Sequence, residues 1–178
     1  MSNHFHNSIA IRHLVCGSCN GCEHEMNALA NGFYDITQFG WEITASPRHA
    51  DILTVTGPMT EAMRAAAART VAAVARPRVI LAVGDCAAGC GPWSGANAAG
   101  EGSGLELEAS IVIHGCPPTP DQVIDGVREA IRRDGTVQTQ AFATGYTRIG
   151  LMPLATENAA REDRDFEKER NDPPQAPQ

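Results

Sequence analysis

Apolar residues gather in short runs set between longer mixed stretches. Residues 9–15 (IAIRHLV) form the first run, which ends at a cysteine and predicts a strand. Residues 41–45 predict a second short strand, and residues 51–56 (DILTVT) a third, stopped by Gly57 and Pro58. Residues 78–83 (RVILAV) and 108–114 (EASIVIH) are nearly continuous apolar runs, as expected where a parallel sheet is covered on both faces. Helical stretches lie between them. Residues 23–31 (EHEMNALAN) predict a helix ended by Gly32. Residues 60–75 are alanine-rich, with Thr60 as N-cap, Glu61 at the positive helix end, and Arg76 and Pro77 closing the segment. Residues 120–132 predict a further helix capped by Thr119. Strands alternating with helices predict an α/β fold with a doubly wound parallel sheet.

Two segments fall outside this alternation. Residues 94–104 (SGANAAGEGSG) are glycine-rich and polar and predict a flexible loop. From Ala155 onward the chain holds seven acids and four bases and ends in NDPPQAPQ, which predicts a charged tail, solvated or ordered against a partner. The expected division is an α/β domain over residues 1–154 and a tail over residues 155–178.

With 178 residues, 43% of them apolar, the chain can bury one core. The formal net charge of −7, with Lys168 as the only lysine, argues against a nucleic-acid partner, which would need clustered cations. No run of about 18 apolar residues appears, and the start MSNHFHNS has neither the basic nor the apolar part of a secretory signal. The expected location is therefore cytoplasmic, with any membrane contact made through partner subunits.

The cysteines carry the chemistry. There are six: Cys16, Cys19, Cys22, Cys86, Cys90 and Cys116. A reducing compartment disfavours disulfides and points such cysteines toward metal or redox chemistry. Cys16 follows the first predicted strand, Cys86 follows RVILAV in the loop GDCAAGCGPW, and Cys116 follows EASIVIH in the loop HGCPPTP. Sites in open α/β sheets form outside the carboxyl ends of strands, so these loops are expected to converge on one edge. The segment CGSCNGC offers two overlapping C-x-x-C steps, and Gly17 and Gly21 let the backbone curl around a bound group. Spacing alone leaves three chemistries open: an iron–sulfur or zinc site, a thioredoxin-like dithiol, and buried free thiols. There is no phosphate-binding G-x-x-x-x-G-K-[ST] loop and no G-x-G-x-x-G after the first strand. Flavin binding does not follow from an α/β fold alone.

CGSCNGCEHEM, ASPRHADILTVTG, GDCAAGC and HGCPPTP occur in that order. Together they resemble the small electron-transfer subunit of multisubunit, membrane-associated [NiFe] hydrogenases of the formate hydrogenlyase type, and its cluster-bearing homologue in respiratory complex I. The resemblance spans residues 11–132. It implies a flavodoxin-like fold and one [4Fe–4S] cluster held by Cys19, Cys22, Cys86 and Cys116, with Cys16 and Cys90 as extra cysteines. It also implies a hydrogenase-like large subunit and other redox subunits as partners, peripheral to the inner membrane. In the complex I relatives the first two ligands are adjacent; the separated C-N-G-C here favours the hydrogenase-like branch. Two departures stand out: Cys90 replaces a glycine usual in the loop after Cys86, and the connection between Trp93 and Leu107 is unusually glycine-rich.

Other side chains are weighed against plainer roles. Glu25 matches an acidic position of the resembled motif, where it could hydrogen-bond near a cluster, and it equally suits a helix start. Glu23 is expected to be solvated. Arg48, in SPRHAD, is expected to make a structural ion pair, with His49 exposed. His114 could tune a nearby cluster, although a satisfied histidine at a strand end is the simpler reading. Asp85 sits beside a presumed ligand and, if ionised, would lower a cluster's potential. His4, His6 and His13 do not form a convincing metal site.

Overall fold

A computed structural model describes residues 8–134 of the chain. The expected domain boundary at 154/155, the charged tail, and His4 and His6 lie outside the described residues. Among the described residues five strands, all parallel, form one sheet: β1 (Ile9–Val15), β2 (Trp41–Ile43), β3 (Ile52–Thr56), β4 (Val79–Val83) and β5 (Ile111–Ile113), in the order β2-β1-β3-β4-β5. This is the flavodoxin-like order, with its switch point between β1 and β3. Helices α1 (Gly21–Ala28), α2 (Glu61–Ala73), the single turn α3 (Ser103–Glu106) and α4 (Pro120–Asp134) complete the described elements, with two short 3-10 turns at Ile36–Phe39 and Pro47–His49.

Every residue of β3 and β4 is buried, which explains their unbroken apolar runs. The two-residue period then assigns side chains to opposite faces. Ile52, Val79, Leu81, Val83 and Ile113 pack with Met26 of α1 and Val123 and Val127 of α4. Leu53, Val55, Ile80 and Ala82 pack with Ala67 of α2, with Met63 and Val71 against them. Each such aliphatic side chain contributes about 1.5–3 kcal/mol when fully buried.

Caps set the helix ends. Thr119 and Gln122 cap α4 reciprocally: Gln122 Oε1 accepts the Thr119 N–H at 2.8 Å, and Thr119 Oγ1 accepts the Gln122 N–H at 3.4 Å. Thr60 occupies the cap position of α2, but its side chain makes no capping bond. Its backbone N–H instead donates to Cys16 O at 2.9 Å, tying α2 to the loop after β1. Helix α1 ends before Gly32, because Asn31 Oδ1 accepts the N–H groups of Phe33 and Tyr34 and turns the chain there.

Residues 94–104 differ from the flexible loop that their composition predicts. Gly100 N donates to Met59 O, Ser103 N to Gly57 O and Gly104 N to Ala87 O, so the segment is pinned to the loops after β3 and β4. Gly104 is required there, since a Cβ would lie 2.4 Å from that of Ala82. Strand β5 is shorter than its apolar run, because Glu108 adopts φ 55° and breaks the extended path before Ile111.

Candidate metal centre

The loops that follow β1, β4 and β5 meet at the carboxyl edge of the sheet. There Cys19, Cys22, Cys86 and Cys116 line one cavity of about 60 Å³ together with Ser18, Gly21, Asp85, Gly115 and Pro117. A single water needs only about 10–15 Å³ measured that way, so the space admits a larger body. Convergence of these loops follows from the strand order, which places β1, β3, β4 and β5 side by side.

Glycines make the room. Gly84 follows β4 at φ +91°, and a Cβ there would sit 2.5 Å from Cys22 Sγ. A Cβ on Gly91 would sit 2.5 Å from Cys86 Sγ. The loops are also cross-tied: Gly84 N donates to Ile113 O at 2.8 Å and Asp85 N to Gly115 O at 2.9 Å. This donor set of soft sulfur, with glycine positions that leave the sulfurs unobstructed, fits an iron–sulfur group.

The sulfurs differ in their surroundings. Cys22 is buried, and desolvation, followed by the charges of Glu23, Cys86, Cys19 and Cys116, pushes its pKa up to about 12. Cys86 is half-buried and also raised, mainly by desolvation, against a lowering hydrogen bond from the Trp93 backbone N–H. Cys19 and Cys116 are exposed. The other two cysteines are elsewhere. Cys16 is fully buried in the apolar layer beneath α2, and Cys90 is exposed; neither lines the cavity.

Glu23 corrects the expectation of a solvated carboxylate: it is only 7% exposed. Ser18 Oγ and Thr56 Oγ1 both donate short hydrogen bonds to it, and His13 Nε2 lies 3.6 Å from Oε1. Burial by itself would raise its pKa, but the bonds from Ser18, Thr56 and its own backbone N–H, with the His13 charge, hold it below the ordinary carboxylate range. His13 is lowered by desolvation, against the pull of Glu23, and its Nδ1 lies 3.0 Å from Thr54 Oγ1 of the neighbouring strand. Sequence reasoning does not find this network. The signal that could reveal it is a histidine and two threonines inside otherwise apolar strands, since buried polar groups need partners.

The remaining candidates fall into place. Glu25 is half-buried and makes no side-chain hydrogen bond or ion pair among the described residues. Arg48 is exposed and makes no ion pair among them, contrary to expectation: its 3-10 turn points it into solvent, where pairing adds little. His49 is exposed as expected. His114 follows β5, and its Nδ1 lies 3.1 Å from Asp85 Oδ1, which also accepts the Gly115 N–H at 3.1 Å.

Strand order and cavity together define a class: a flavodoxin-like α/β protein with a four-cysteine site at its strand ends. The chain belongs to the family described as NADH ubiquinone oxidoreductase, 20 Kd subunit, which it matches over residues 19–130. It is 35% identical over 138 residues to formate hydrogenlyase subunit 7 of Escherichia coli, covering 78% of this chain and 53% of that protein. The chain thus spans about half of that relative's length. It is 32% identical to the probable membrane-bound hydrogenase subunit mbhJ of Pyrococcus furiosus, covering 68% of this chain and 72% of that one. It is 36% identical to a subunit of the NADH-quinone oxidoreductase of Roseiflexus castenholzii, covering 66% of this chain and 74% of that one. Among solved structures, a chain of the membrane-bound sulfane sulfur reductase, an archaeal respiratory membrane complex, superposes with TM-score 0.65 at 25% identity, covering 90% of this chain and 84% of that one. A chain of an NAD+-reducing [NiFe]-hydrogenase, at 17% identity and TM-score 0.53, covers 70% of this chain and 92% of that one and shares the fold.

Proposed function

We propose that this chain holds one [4Fe–4S] cluster on Cys19, Cys22, Cys86 and Cys116 and relays electrons to or from a large catalytic subunit of a hydrogenase-like or quinone-reducing complex. The carrying observation is that four cysteines from three strand-end loops, far apart in sequence, line one cavity. The names of the relatives, all subunits of oxidoreductase complexes, support the same reading.

When bound, such a cluster supplies one-electron exchange. The chain's residues bind and tune. Gly84 and Gly91 leave the sulfurs of Cys22 and Cys86 unobstructed. The Trp93 N–H stabilises the Cys86 thiolate. Cys22 is a poor thiolate without a metal, so loading the site must displace its proton. Asp85 places a carboxylate on the cavity wall, which favours the more positive state of whatever is held there. Exposure of Cys19 and Cys116 puts the site at the surface, where a partner's redox centre can approach.

No helix among the described residues is long and apolar enough to cross a membrane. Attachment to the cytoplasmic face of the inner membrane is assigned to partner subunits.

The test is anaerobic purification with the companion subunits. Brown protein with four irons and four acid-labile sulfides assigned to this chain, and a paramagnetic signal on reduction, supports the proposal. Stoichiometric zinc without iron in this chain overturns it.

A further inference from the structure

We propose a second metal site on the outer flank of the cysteine cavity, made by Asp85, Cys90 and His114 and suited to Zn2+ or a similar borderline divalent cation. One ligand atom from each residue, a carboxylate oxygen, a thiol sulfur and an imidazole nitrogen, lies within 4.8 Å of the other two. Tetrahedral zinc, with bonds of about 2.0–2.3 Å, sets its donors roughly 3.3–3.8 Å apart. Asp85 and His114 already approach to 3.1 Å. The exposed Cys90 side chain would close the remaining corner.

The backbone under the site is fixed. Cys90 N donates to Asp85 O at 3.0 Å, and Asp85 N donates to Gly115 O at 2.9 Å, locking the β4 loop to the residues beside His114. Asp85 Oδ1 accepts the Gly115 N–H at 3.1 Å, which orients the carboxylate. The mixture of sulfur, nitrogen and oxygen suits zinc better than magnesium or calcium, which prefer all-oxygen shells. Binding would release the Cys90 thiol proton to water and leave the fourth position to a water molecule. Cys90 and His114 are exposed, so the cation has an open path.

The site is separate from the proposed cluster. Cys90 and His114 do not line the cavity, and only Asp85 borders both. A dication there would offset the Asp85 charge felt inside the cavity.

The experiment uses the anaerobically prepared full chain, with iron, sulfide and zinc counted in each sample and zinc chloride as the probe. The native chain should bind one zinc more than Cys90→Ser at low free zinc, with iron and sulfide equal in the two. Losing an outer-shell partner weakens metal sites about 10–100-fold, so losing the direct ligand in Cys90→Ser or His114→Gln should weaken zinc by at least that much. Equal zinc in the native chain and both variants overturns the site, as does zinc uptake that occurs only as iron departs. Because the readout is a difference of one zinc, it stands whichever metal occupies the four-cysteine cavity, and the iron count tests that proposal separately.

Discussion

Cys16 and Cys22 follow the same strand, are separated by five residues, and lie on opposite faces of the sheet. Cys22 packs in the layer with α1 and α4, Cys16 in the layer with α2. Burial drives the pKa of each up to about 12. Their company differs. Cys22 has Cys19, Cys86 and Cys116 around it, whereas Cys16 has mainly apolar neighbours such as Leu53, Val55 and Met59. Burial and reluctance to ionise therefore do not distinguish a binding cysteine from a core cysteine; the presence of other sulfurs around a cavity does.

Exchanging the sulfurs breaks this comparison most directly. Serine at Cys19, Cys22, Cys86 or Cys116 should abolish or convert the bound cluster, read as iron and sulfide per chain. Cys16→Ser should keep full iron while lowering stability by about 1–3 kcal/mol, the cost of burying a hydroxyl with imperfect partners. Iron loss in Cys16→Ser with normal folding would reverse the contrast.

A glycine pair gives the next largest effect. Gly84→Ala meets Cys22 Sγ at 2.5 Å and should lower iron content as well as stability. Gly95→Ala, also at positive φ but with nothing within 4 Å, should cost only the roughly 1–2 kcal/mol of the left-handed backbone and leave iron unchanged.

Chemical labelling of the metal-free full chain sharpens the comparison further. Cys19, Cys90 and Cys116 are exposed and should alkylate first, while Cys16 and Cys22 are buried and should lag together. Restoring iron should then protect Cys19 and Cys116 and leave Cys90 reactive.

The smallest effect concerns acid stability. His13 titrates below its ordinary 6.5 in the folded chain. The unfolded state therefore binds more protons as the pH drops past that value, so this contribution is complete above about 6.5 and is lost below it. Glu23, held below its ordinary 4.5, acts in the same direction at lower pH: its contribution is present above that value and lost as the pH falls through the folded pKa. The denaturation midpoint of the metal-free chain should fall in both windows, and Glu23→Gln should flatten the lower one.

Much was legible along the chain because short-range chemistry decided it. The unbroken apolar run VILAV, the alanine run of α2 and the Thr119 cap each reflect forces acting within a few residues. The strand-end rule likewise located the loops of Cys86 and Cys116. Legibility failed where a residue's fate rested on a distant neighbour. Glu23 reads as a solvated helix-start acid until Thr56, 33 residues away, is brought above it. Residues 94–104 read as loose until their backbone finds Met59, Gly57 and Ala87.

The sequence by itself determined the α/β alternation, the family resemblance and the kind of ligand atom, because residue type, local periodicity and ordered motifs carry that information. Only the tertiary structure decided which sulfurs share a cavity, that Cys16 belongs to the opposite layer, and that Asp85, Cys90 and His114 meet on its flank. Those outcomes depend on strand order and on the loop backbone's hydrogen bonds, which join residues that no local pattern connects.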